Sequence, residues 1–147
     1  MGYTHYFGAN KNFTTEQWEK LVEKTNKILS YCAEKGIKLA ADSDIPDEPP
    51  ELSDVVIAFN GVDEEGHESF IIYKEGKQYG FHFCKTACKP YDLACCLVLL
   101  AAQDVAPDAL DTGSDGNWNY DWLEARRGYK ELFGTEPVLK FADEDAE

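Results

Sequence analysis

Apolar positions recur along this chain with two periods, and each switch between them marks an element. Residues Gly2 to Phe7 are β-prone and predict a first strand, with a turn over 8–12. Helical spacing follows. Thr14 and Gln17 make a capping box, while Phe13 and Trp18 stand at the two positions of a hydrophobic staple. Trp18, Leu21, Val22, Ile28, Leu29 and Cys32 then share one face. Gly36 is placed to stop this helix, with Ile37 packing back on it. Segment 42–54 holds six acids, three prolines and no basic residue, which predicts a solvated loop inside the domain.

Period-two patterning returns at 55–60, 69–74 and 78–84. The Asn60-Gly61 pair and the short 75–77 connection predict turns, so these strands read as an antiparallel meander. Leu93 to Ala102 then runs ten residues without a polar group. Such a helix is buried on all sides and too short to cross a bilayer. Pro90 fits its first position. Segment 109–112 is a short strand at best, and Gly113-Ser114-Asp115-Gly116 reads as a turn. A last helix spans about 120–133, with Trp118, Trp122, Tyr129, Leu132 and Phe133 as its apolar face and Gly134 as its stop. Segment 137–141 is an edge-strand candidate. The expected fold is one α+β domain over 1–142, a mainly antiparallel sheet packed on two or three helices, followed by a disordered acidic tail at 143–147.

Charge narrows the function classes. Fourteen basic against 28 acidic side chains give a net charge of −14 over 147 residues, which repels nucleic acid and anionic membranes and suits a basic partner. No apolar leader opens the chain. Five cysteines, mostly within expected core elements, fit reduced thiols in a cytosolic protein.

Candidate chemistry concentrates between Phe81 and Asp92. Lys85, Thr86 and Lys89 fall where the chain enters the apolar helix, and a helix N-terminus attracts anions. With Tyr91 to hydrogen-bond and His5 or an aromatic ring nearby, they predict a site for a small anionic ligand. The plainer alternative is a solvated loop in which Thr86 caps the helix. P-loop glycines are absent. His82 and Cys84 lie on one strand face, so a Cys/His enzyme using His82 or His5 is a further alternative. Cysteine spacing matches no usual zinc pair, and neither a metal nor a cofactor is expected. Tyr3, Tyr6, Trp118 and Trp122 suit a core or a planar ligand. Arg126 and Arg127 suit a phosphate, or pairing with Glu124 or Glu131.

The opening Met1-Gly2-Tyr3-Thr4-His5-Tyr6, the stretches Phe83-Cys84-Lys85-Thr86 and Lys89-Pro90-Tyr91-Asp92, and the Ser114-Asp115-Gly116 turn followed by tryptophan resemble a family of small phage and prophage proteins. That family carries no assigned activity, so the resemblance transfers no catalytic residues. It implies a phage origin and a host-cytoplasm location. By analogy of origin, the leading expectation is an accessory protein that sequesters a nucleotide-derived signal to counter host defence. The alternative is an acidic interaction protein or DNA mimic engaging a basic host protein. Self-association is left open.

Overall fold

The computed structural model describes residues 3–138 and shows an α+β fold with antiparallel sheets. The expected strand start at Gly2, most of the 137–141 strand and the acidic tail lie outside the described residues. Elements run in the order β1 (Thr4–Ala9), α1 (Thr15–Glu34), β2 (Leu39–Ala40), β3 (Glu51–Leu52), β4 (Val56–Gly61), β5 (Phe70–Tyr73), β6 (Phe81–Lys85), α2 (Asp92–Val105), β7 (Leu110–Ser114) and α3 (Leu123–Phe133). Among the described residues, no helix is long and apolar enough to cross a membrane.

Local chemistry sets the helix ends. Thr14 Oγ1 accepts the Gln17 N–H at 3.1 Å, and Gln17 Oε1 accepts the Thr14 N–H at 3.0 Å, completing the capping box. The Phe13 and Trp18 rings meet edge-on at 5.5 Å. At the other end Gly36 takes φ +84°, its N–H bonding Ala33 O while the Ile37 N–H reaches Cys32 O. Those two bonds define a Schellman stop. Gly134 closes α3 with φ +76°.

The strands form two sheets instead of one meander. In the first, β1 lies between β6 and β7. His5 is opposite Cys84 on one side and Ser114 on the other. In the second, β4 pairs antiparallel with β2, β3 and β5. The expected 78–84 strand therefore leaves β5 and joins the N-terminal strand. Gly113 and Ser114, expected in a turn, extend β7 instead.

Every residue from Leu93 to Ala102 is buried, and α2 touches α1, α3 and β7. Its polar C-terminal turn is also held: Asp104 Oδ2 accepts the Tyr129 hydroxyl at 2.6 Å and lies 3.4 Å from Lys24 Nζ. The helix starts at Asp92, two residues after Pro90, because Pro90 and Tyr91 complete a preceding turn.

Candidate functional site

Strand β1 carries His5 into the core with no exposed surface, its ring edge-on to Tyr3 and Trp122 at 5.2 Å each. Nδ1 lies 2.8 Å from Ser114 Oγ, and Nε2 lies 2.6 Å from Asp92 Oδ1. Ser114 decides where the proton sits. Its oxygen already accepts the Gly116 N–H at 2.8 Å and the Trp122 Nε1–H at 3.1 Å. A hydroxyl has two lone pairs, so what Ser114 offers His5 is its proton. Ser114 O–H donates to Nδ1, and Nε2–H donates to Asp92. Two N–H donors already hold that oxygen, and Ser114 does not line the cleft whose foot Asp92 forms, so it is not presented to a ligand there.

Asp92 Oδ1 also accepts the Thr86 hydroxyl at 2.6 Å. As the first residue of α2, its carboxylate complements the helix dipole. One turn on, Cys96 Sγ lies 3.5 Å from His5 Nε2 and 3.6 Å from Asp92 Oδ2. The donor atoms of His5, Asp92 and Cys96 fall within 4.8 Å of one another.

Asp92 and Cys96 form the foot of a cleft of about 260 Å³ between Tyr3, α2 and the start of α3. Asp121, Glu124 and Cys88 add to its walls, and Lys89 is its one basic residue among the described residues. Two consecutive non-glycine residues with positive φ, Ala87 (+54°) and Cys88 (+60°), turn the chain there. Such backbone costs of order 1–2 kcal/mol per residue and persists where its surroundings hold it.

The electrostatics keep the thiols protonated. Burial, then the Asp92 carboxylate, pushes the Cys96 pKa well above its ordinary value. Burial with Asp92 and Asp121 raises Cys88. Burial and then Asp92 raise the Tyr3 hydroxyl far above the usual tyrosine range. None of these groups is an activated nucleophile.

Of the residues singled out in sequence, His5 and Thr86 meet at Asp92, and Lys89 lines the cleft. Thr86 does not cap α2; its hydroxyl goes to the Asp92 side chain. Tyr91 is fully buried and donates to Glu68 O at 2.5 Å, away from the cleft. Lys85 does not line the cleft, because the pleat of β6 places it on the face of Phe81 and Phe83. The two lysines thus do not share a pocket. Cys84 Sγ donates to Glu68 O at 3.4 Å, whereas His82 packs among Phe7, Tyr73 and Tyr79. Arg126 stacks over Trp118 and reaches Glu136 at 3.8 Å, not Glu124 or Glu131. Sequence reasoning missed Asp92, Cys96, Ser114, Asp121 and Glu124. One signal was available: Asp92 and Cys96 are four apart, hence on one helix face.

Fold and site together define a small α+β domain with a histidine–carboxylate–thiol cluster at the foot of an acidic cleft. No family model, curated protein or solved structure matches the chain.

Proposed function

We propose that the protein binds a divalent transition-metal ion through His5 Nε2, Asp92 and Cys96 Sγ, and that the ion receives a small anionic ligand from the cleft. One observation carries this reading: the spacing of the donors. Tetrahedral zinc, about 2.3 Å from sulfur and about 2.0 Å from nitrogen or oxygen, sets neighbouring donors about 3.3–3.6 Å apart. The two contacts of Cys96 Sγ, at 3.5 Å to His5 Nε2 and 3.6 Å to Asp92 Oδ2, match that edge length. Asp92 Oδ1, 2.6 Å from His5 Nε2, is too close to be a second donor to the same ion, so Asp92 would bind through Oδ2 and its hydrogen bond to His5 would open. Two of the three donors line the cleft, the arrangement of a site with one coordination position for a ligand.

The ion also answers a charge problem. Asp92, Asp121 and Glu124 against Lys89 alone make the cleft repel a bare phosphate or carboxylate. A dication offsets those charges, and Lys89 then serves as the anion's second partner. Loading would move the His5 proton from Nε2 to Nδ1; the Ser114 hydroxyl would turn away and Ser114 Oγ would release the Gly116 or Trp122 N–H to accept it. Cys96 loses its thiol proton outright. Affinity therefore rises about tenfold per pH unit while the thiol is protonated.

Titration with Co²⁺ tests this. Expected are a thiolate-to-cobalt absorption band and one equivalent bound, more tightly at pH 8 than at pH 6. Both band and binding are lost in Cys96→Ser and weakened in Asp92→Asn, with near-UV circular dichroism reporting the fold. Inorganic phosphate binds the loaded protein, and Lys89→Ala weakens phosphate while sparing cobalt. Equal cobalt affinity in Cys96→Ser, or no thiolate band at pH 8, overturns the reading.

A further inference from the structure

The outer face of the first sheet carries side chains that folding usually hides. Phe81 is 64% exposed and Phe83 56%. Tyr6 stacks on Phe81 with ring centres 6.2 Å apart and planes 24° from parallel. Beside the rings, Gly8 and Gly113 place no side chain, and a groove of about 560 Å³ runs over them. Asp111 and Asp115 of the β7 segment form its other wall, and among the described residues no basic side chain lines it. Lys85 lies on the same face but at the far end of β6, opposite Thr4.

We propose that this groove docks an arginine-bearing segment of a basic partner protein. A guanidinium group is planar. It stacks on an aromatic face and meets carboxylates through paired N–H bonds, and few other side chains use both walls at once. Asp115 is already oriented for this: Oδ1 accepts the Tyr6 hydroxyl at 3.2 Å, and Oδ2 accepts the Thr4 N–H at 3.0 Å. Fixed partners lower the ordering cost of binding. Charge disfavours the competing occupants. Nucleic acid would stack on the rings but bring phosphates against Asp111, Asp115 and a chain of net charge −14. A second copy carries the same −14. The chain's own 139–147 stretch has four acids and one lysine.

The test is fluorescence anisotropy at physiological salt with a labelled arginine–glycine repeat peptide and its lysine counterpart. The arginine peptide binds about tenfold more tightly, the margin that cation–π and bidentate contacts supply. Gly113→Leu fills the groove without altering net charge. Its Cβ meets nothing nearer than 3.9 Å and its φ is not positive, so the fold tolerates it. That variant weakens the arginine peptide at least about tenfold, as expected when a central contact is blocked. Should it not fold, Phe81→Ser at the 64%-exposed ring removes the stacking wall at the same net charge and gives the same reading. Equal affinity for both peptides, or full affinity in both variants, assigns the attraction to diffuse charge and overturns the proposal. Sedimentation showing a peptide-free dimer that Gly113→Leu dissolves gives the face to a second copy. Tighter peptide binding after removal of 139–147 gives it to the chain's own C-terminus.

Discussion

At the scale of single residues, His82 makes the fold sensitive to acid. It sits among Phe7, Tyr73 and Tyr79, and its buried Nε2 has no hydrogen-bond partner among the described residues. Burial lowers its pKa below the ordinary 6.5. Between the folded and unfolded values the unfolded chain holds more protons, so stability rises with pH across that window. The contribution is intact above about pH 6.5 and is lost as pH falls from there. His82→Gln should therefore shrink the difference in Tm between pH 7 and pH 5, measured by calorimetry. An undiminished difference would place the acid sensitivity elsewhere. Single residues were also where the sequence said least. His5 stood out as a candidate, but Ser114 and Asp92 lie 109 and 87 positions away. No local pattern reports a partner at that separation.

At the scale of elements, legibility followed locality. The capping box at Thr14, the Phe13–Trp18 pair and the Gly36 stop each involve residues within a few positions, and all three form as read. The Asn60-Gly61 pair shows the reverse. It resembles a hairpin turn, yet β4 continues through it. Asn60 Oδ1 instead accepts the N–H groups of Gly61 and His67 at 2.8 and 3.1 Å, tying down the loop that follows. The glycine is needed because that loop returns onto it: a Cβ there would stand 2.3 Å from Glu65 O, a backbone atom that cannot swing aside. Gly61→Ala should cost about 2–3 kcal/mol by urea unfolding, in the range of overpacking and backbone strain. A cost under 0.5 kcal/mol would mean the loop moves freely. The partner of β6 was illegible for another reason. Phe81 and Phe83 carry the apolar phase of the strand, but it is Cys84 that faces the core and the phenylalanines that face out. Alternation gives the period of a strand and not which phase is buried.

At the scale of the molecule, α2 was the most readable feature and the one with the widest reach. Ten apolar residues in a row leave a helix no face for water, and the structure buries all ten. Because α1, α3 and β7 all rest on it, damage there is not local. Leu99 is fully buried, and Leu99→Ala should cost about 2–5 kcal/mol. Loss of aromatic ellipticity and of backbone ellipticity should coincide in one transition. Two separated transitions would show that the β4 sheet survives without the helix. The α+β class and the central helix were thus open to sequence. The division into two sheets was not, because nothing local distinguishes β5 from β1 as the neighbour of β6.

Strand β7 lies at an edge of its sheet, where chains are prone to slide or to recruit neighbours. Ser114 and Asp115 follow one another there, one turned to the imidazole and the other to the outer groove. Shifting β7 by a single position would exchange them. A second carboxylate would then sit in the dark beside Asp92, and His5, Gly116 and Trp122 would all lose the hydroxyl that joins them. Two adjacent letters thus act as a ratchet stop, giving this exposed border only one alignment it can hold.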